Sequence, residues 1–338
     1  MKIMVDNNVG GNIGEGWYRF GLIKMLEKHF PEHTIYEGSG GMDLAFKIHS
    51  DTRKKNMLNL REYESADLHI LAGPILGHFT QGWTDTIQKW HDRGEKYALV
   101  SISGTNLSRQ KVADLSAFFE KYPPLFMATR DTQTYSIFKE YVPYIYDGIC
   151  TSWLVDLNYE VPILKMDRPY FISSFYTEEE PKYSLIDDNK SVDLENLNVV
   201  HRKNHFGLPY KYSRWFNCWN EQQDSLGGMK IVRTIQDIGM RFNRLNYAMP
   251  NSFVSYNLLH YLELAKSAEF TVSDRVHACA ISLACGRPAW FLFETPRAGI
   301  YTRLGLDYHS NNGKLLPPDR DLLLYEQSKL VSYIKQFI

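Results

Sequence analysis

The sequence predicts an α/β protein built as two domains that face a cleft. Three observations carry that prediction. Short apolar runs alternate with amphipathic segments through residues 2–156, two prolines and mixed charge interrupt the pattern at 157–169, and the alternation resumes from residue 169. Strands that alternate with helices are joined by right-handed crossovers and assemble into a mostly parallel sheet. A chain of 338 residues is long enough for two ordinary domains, and the composition break divides it into 1–156 and 157–338.

The elements follow in order. Residues 2–6 (KIMVD) form a short apolar run that leads into a polar, glycine-rich loop, as a strand end does. In 17–30, Phe20, Ile23, Leu26 and Phe30 recur at helical spacing, and Pro31 ends the helix. Residues 66–73 (ADLHILAG) read as a strand closed by glycine, and 84–94 as a helix with Thr84 as its cap and Gly94 as its stop. The unit repeats: 97–104 is a strand, 107–122 a helix, and 124–131 a strand running into a helix at 132–141. A strand-like segment, 144–156, closes the first half.

Beyond the linker, 169–176 (PYFISSFY) restarts with a strand, 177–228 is polar and aromatic with weak periodicity, and α/β alternation returns at 230–239. Residues 255–268 make an amphipathic helix with Leu258, Leu259, Leu262 and Leu264 near one side. A strand at 269–272, a helix at 274–285 and a strand at 287–293 complete the pattern. Gly286 falls where a helix C-terminus wants a left-handed residue.

Composition narrows the function classes. Hydrophobic residues make up 44% and charged residues 23%, the profile of a folded protein. The net charge is −1, which leaves no long-range field to gather nucleic acid, so any anion site must be local. No apolar run approaches the ~20 residues of a membrane span. The opening MKIMVDNNVGGNIGEG lacks the apolar core of a signal peptide. Cys150, Cys218, Cys279 and Cys285 form no C-x-x-C pair, which predicts reduced thiols and a cytoplasmic setting.

One stretch carries chemistry: TVSDRVHACAISLACGRPAWFLF, residues 271–293. The strand delivers the chain to its carboxyl end, and Ser273 is a suitable cap, which places Arg275 and His277 in the first turn of the next helix. Free N–H groups and the helix dipole favour an anion there. A guanidinium at that end opposes the dipole, at a cost of a few tenths of a kcal/mol, roughly. A bound phosphate or carboxylate would account for it. His277 titrates near neutrality and could exchange a proton with the same ligand. On these residues alone, a plain helix start accounts for the stretch equally well, with Arg275 paired to an acid and His277 at the core edge.

Other motifs exclude more than they assign. The glycines of GGNIGEG, at 10, 11, 14 and 16, do not follow G-x-G-x-x-G, and read as a tight strand-to-helix turn. No P-loop, H-E-x-x-H or G-x-S-x-G motif is present. Segment 201–219 interleaves basic and aromatic residues, which suits a sugar-stacking or interface surface, or a packed insertion, better than nucleic acid. His201 and His205 stand four apart without a nearby third ligand, so neither metal nor cofactor is expected.

Residues 268–306, AEFTVSDRVHACAISLACGRPAWFLFETPRAGIYTRLGL, resemble the C-terminal signature of the polysaccharide pyruvyl transferase family. In that family a hydrophobic strand enters a Ser/Thr-Asp-Arg-x-His turn. A helix ending in Gly-x-Pro, a further strand and a basic residue before Leu-Gly-Leu follow. Residues 8–35 resemble the family's N-terminal Asn-x-Gly-Asp loop and helix, with Asn12 in place and Glu15 where aspartate is usual. Residues 125–141 resemble its arginine–aspartate strand end, at Arg130. Two further departures are Pro74, which interrupts the glycine pair of AGPILG (72–77), and Arg297, where lysine is common.

The resemblance implies two Rossmann-like domains in the glycosyltransferase-B manner, with the final helix packing back on the first. It implies transfer of a pyruvyl group from phosphoenolpyruvate to a sugar, as a ketal. His277 becomes the catalytic acid and base, and Arg275, Arg130, Arg297, Asn12 and Glu15 become substrate-binding residues. The implied partners are phosphoenolpyruvate and a sugar or glycan acceptor, free or lipid-linked, in the cytoplasm or at the inner face of its membrane. A homo-oligomer is compatible with this reading. The alternatives are a glycosyltransferase using a nucleotide sugar, with Arg275 on the diphosphate, and a non-catalytic sugar- or anion-binding relative.

Overall fold

Strands buried on both faces carry near-continuous apolar runs, and the centre of the first sheet is made of them. The computed structural model describes residues 1–6, 12–38, 58, 60–104, 106–175, 178–200, 223–236, 249–255 and 257–338. In the N-terminal half, β1 (Lys2–Asp6), β2 (Thr34–Glu37), β3 (Leu68–Ala72), β4 (Lys96–Ile102), β5 (Met127–Thr129) and β6 (Ile145–Asp147) form one parallel sheet in the order β2-β1-β3-β4-β5-β6. All five residues of β3 are buried, as are six of the seven in β4. Helices α1 (Ile13–His29), α2 (Thr84–Asp92), α3 (Arg109–Lys121) and α4 (Thr132–Phe138) supply the crossovers.

The C-terminal sheet is mixed. Its centre is parallel, from β7 (Tyr170–Ser174), β11 (Met229–Thr234), β13 (Thr271–Ser273) and β14 (Ala289–Phe291). The short strands β10 (Ser225–Leu226) and β15 (Lys314–Leu315) pair antiparallel at its ends, and β12 (Ser252–Phe253) lies beside β11. A separate antiparallel pair joins β8 (Lys182–Leu185) to β9 (Leu197–Val200). Helices α5 (Leu258–Ser267), α6 (Val276–Ala284) and α7 (Arg320–Ile334) complete this half. The last of them crosses back: Tyr333 and Phe337 pack edge-on and stacked against Phe126, with ring centroids 5.8 and 4.9 Å away.

The halves share a core. Tyr18 and Leu22 of α1 join Cys150 and Trp153 in one buried cluster with Val276, Cys279 and Leu283 of α6 and Tyr301 beyond it. Across the same seam, the Ile13 N–H donates to the Gln236 carbonyl at 2.7 Å. Gly21 permits the tightest contact here, because a Cβ on it would collide with the Thr151 carbonyl oxygen.

The structure changes four expected boundaries. The strand expected over 144–156 stops at Asp147, and a 3-10 turn, Thr151–Leu154, leads into a helical turn, Val155–Asn158. That segment docks on α1: the Thr151 hydroxyl donates to the Tyr18 carbonyl, and its N–H donates to Ser101 Oγ, at 2.5 and 3.1 Å. Packing of Trp153, Leu154 and Val155 therefore overrides their β propensity. Helix α1 starts at Ile13, so the Ile-Gly-Glu-Gly run is its first turn and not a loop. Helix α2 starts at Thr84, but its cap position is Trp83, and Thr84 instead donates back to the Thr80 carbonyl at 3.0 Å. Helix α6 starts at Val276 with Arg275 at its cap position, while Ser273 ends β13. Gly94 and Gly286 do adopt the left-handed conformation, with φ of 76° and 77°. Segment 201–219, with His201, His205 and Cys218, lies outside the described residues; Cys150, Cys279 and Cys285 are free thiols.

Candidate active site

Short strands end at one seam, and each delivers a charged side chain there. Asn12 caps α1, and Glu15 lies in its first turn. Arg130 follows β5 directly, with its N–H held by the Ile102 carbonyl at 2.9 Å. Arg275 and His277 flank the start of α6, and Arg297 sits in the 3-10 turn Pro296–Ala298 beyond β14. All six line a single cavity of about 400 Å³, together with Gly14, Pro74, Asp274, Val276, Phe293 and Thr295. The carboxyl ends of parallel strands are where ligands bind in such folds.

The two sides of the seam are joined at the cavity itself. Asn12 Oδ1 accepts from the Gly14 N–H at 3.0 Å and from Arg275 Nη2 at 2.7 Å, while its Nδ2 donates to Glu15 Oε1 at 3.3 Å. The Ser273 hydroxyl, instead of capping α6, accepts the Arg275 N–H at 2.9 Å and donates to the Ser174 carbonyl at 2.5 Å. Asp274 is buried, and its carboxylate accepts the Glu178 N–H at 2.6 Å. The guanidinium of Arg275 thus leaves the helix axis and reaches the opposite half, which removes the expected conflict with the dipole.

Three guanidinium groups face two carboxylates here, so the cavity is cationic. Arg130 is 1% exposed, and its Nε has no hydrogen-bond partner among the described residues. His277 Nε2 lies 3.5 Å from Arg130 Nη1 and 3.7 Å from Cys150 Sγ, and its ring packs 5.6 Å from that of Tyr18. Burial, and then Arg130, Arg297 and Arg275, push the His277 pKa well below its ordinary value. Burial holds the Glu15 carboxyl above its own, against the pull of Arg297, Asn12, Arg275 and Arg130. Two proton carriers with opposed shifts in one cleft fit acid–base chemistry. Among the described residues, no group of three His, Cys, Asp or Glu side chains could hold a metal ion.

The sequence pattern of polysaccharide pyruvyl transferases matches residues 12–292, most of the chain and every one of these six side chains except Arg297. The chain belongs to the polysaccharide pyruvyl transferase family. No curated protein sequence matches it. Solved structures similar to it include Staphylococcus aureus MnaA with UDP, at 11% identity and a TM-score of 0.50 over 99% of this chain and 89% of that one. Another is a Listeria monocytogenes protein assigned as a UDP-N-acetylglucosamine 2-epimerase, at 12% identity and a TM-score of 0.51 over 100% and 89%. At such identity the likeness speaks to fold, which is glycosyltransferase-B-like. Among the described residues, no helix of this family member is long and apolar enough to cross a membrane.

Sequence reasoning missed Cys150, Tyr18, Phe293 and Thr295 around the family's arginine–histidine turn. Phe293 and Thr295 lie within five residues of Arg297 and line the same cavity, so proximity could have flagged them. Cys150 carries no local signal. It reaches His277 only because the 3-10 turn docks on α1.

Proposed function

We propose that the protein transfers a pyruvyl group from phosphoenolpyruvate to two hydroxyls of one sugar, forming a ketal and releasing phosphate. One observation carries the reading: Arg130, Arg275, Arg297, Glu15 and His277 converge on a single cavity between the two halves. Residues 1–156 and 157–338 then supply its opposite walls. Phosphoenolpyruvate presents a carboxylate and a phosphate, and arginine binds either one through paired N–H donors. The acceptor is a free or lipid-linked sugar met on the cytoplasmic side.

The donor's methylene carbon takes a proton and becomes a methyl group, which leaves the adjacent carbon electron-poor. A sugar hydroxyl attacks that carbon and gives up its proton. The second hydroxyl attacks the same carbon, the bond to the phosphate oxygen breaks, and phosphate carries off the remaining proton. A carboxyl held above its ordinary pKa suits the first proton transfer, so Glu15 is its donor. His277, held neutral, accepts the hydroxyl proton, and so begins the cycle as a base and not as an acid.

Melting curves with phosphoenolpyruvate, UDP and inorganic phosphate, run side by side, test the donor. Stabilisation by phosphoenolpyruvate beyond that given by phosphate is expected. Stabilisation by UDP alone would move the protein to nucleotide-sugar chemistry.

A further inference from the structure

We propose that Arg130 and Cys150 hold His277 as a neutral imidazole protonated at Nδ1, and that an anionic donor frees its Nε2 by drawing Arg130 away. The inference rests on the pyruvyl-transfer reading for its use, but the tautomer it assigns follows from geometry alone. A guanidinium has donors and no lone pair. The Nη1 of Arg130, 3.5 Å from His277 Nε2, therefore meets that nitrogen only as a donor. With the Ser152 hydroxyl, 3.1 Å away, donating to its sulfur, the Cys150 thiol can turn its own hydrogen toward the same atom, 3.7 Å away. A proton on Nε2 would set N–H against N–H, so the one proton of the neutral ring belongs on Nδ1.

The charged groups around the ring agree. Arg275 and Asp274 flank it on its own segment, Arg130 faces it from the end of β5, and Arg297 from beyond β14. Tyr18 and Glu15 come from α1, and Cys150 from the turn after β6. Three cations oppose a charge on the imidazole. A carboxylate or phosphate would neutralise them and capture the Arg130 guanidinium, whose Nε has no hydrogen-bond partner among the described residues. Nε2 is then left with only the long, weak thiol contact, which an acceptor hydroxyl displaces. When the sugar hydroxyl reacts, its O–H bond breaks, the proton goes to Nε2, and the electron pair stays on the attacking oxygen. Donor binding thereby switches on the base, and the donor must enter before the acceptor. Cys150 acts through His277 and is a positioning residue.

Nitrogen-15 NMR of histidine-labelled protein tests this, with the His277 signal assigned by its loss in His277→Asn. In ligand-free protein the signal should show a proton on Nδ1 and none on Nε2, down through pH 6. Saturation with inorganic phosphate or phosphoenolpyruvate should raise its titration midpoint by about 1–3 pH units. Cys150→Ala should mix the two tautomers and shift the acid limb of the rate profile, and Cys150→Ser should restore both. Arg130→Gln should lift the midpoint without any anion; the wild-type titration decides the matter if that variant does not fold. A ring protonated at Nε2 in the free protein, or a midpoint that neither anion moves, overturns the proposal. A midpoint moved by phosphate and not by phosphoenolpyruvate keeps the device and sinks the pyruvyl-transfer reading. Turnover of phosphoenolpyruvate by a protein whose free ring is protonated at Nε2 does the reverse.

Discussion

His277→Asn should flatten the acid side of the stability curve, by an amount set by linkage. His277 is kept neutral in the fold, with its pKa well below the ordinary 6.5, while the unfolded chain titrates at that ordinary value. The unfolded state therefore binds one proton more between 6.5 and the lower folded value. Stability falls as pH drops through that window. For one such group wholly uncharged in the fold, the loss is under about 0.1 kcal/mol at pH 7.5 and at most about 1.4 kcal/mol at pH 5.5. Asparagine keeps a polar side chain and removes the titration, so the other histidines cancel in the difference. Urea unfolding at pH 7.5, 6.5 and 5.5 measures both proteins. The wild type should lose up to about 1.3 kcal/mol more than the variant across that range. Parallel curves would refute the claim that the cavity suppresses charge on His277, and with it the assignment of His277 as the starting base.

Other substitutions probe other parts of the site. Glu15→Gln should stabilise the ligand-free fold at neutral pH: the folded carboxyl titrates above the unfolded one, so its ionisation costs stability as pH rises past 4.5. The gain should vanish in acid and be accompanied by lost turnover, and denaturation at two pH values with a rate assay reads both. Arg275→Ala removes a donor shared between Asn12 and the cavity. Loss of one charge-assisted hydrogen bond, about 1.5–3 kcal/mol, should weaken phosphoenolpyruvate binding roughly 10- to 150-fold by calorimetry. Because Asn12 still caps α1 through the Gly14 N–H, the melting temperature should move little. Gly73→Ala should destabilise by about 2 kcal/mol or more, since Gly73 has φ of 94° and an added Cβ would strike the Tyr18 ring. An unchanged melting curve would contradict that packing.

Much of the site was legible because its residues sit beside local signals. The arginine and histidine of 271–293 stand at a strand-to-helix junction, and Gly286 marks the far end of the same helix. Asn12 and Glu15 were found through a motif, yet the loop expected there is the first turn of α1. What stayed hidden is non-local. Arg275 meets Asn12 across 263 positions, and His277 meets Cys150 across 127. Strands β5, β6, β13 and β14 have three residues each, too few to show a period. The strand expected over 144–156 failed for the same reason, since docking on α1, not propensity, shapes residues 151–158. A serine before a helix looked like its cap, and its hydroxyl does accept a backbone N–H, but that of the cap residue Arg275 itself, two positions on.

On the proposed function, phosphoenolpyruvate surrenders its pyruvyl group in this cavity. The most direct measurement incubates the protein with phosphoenolpyruvate labelled in its methyl-forming carbon and a panel of sugar acceptors, following phosphate release and label transfer together. One phosphate per labelled ketal is expected, with both lost in His277→Asn while that variant remains folded. Phosphate release without label on any acceptor, or label transfer that survives loss of His277, would contradict it.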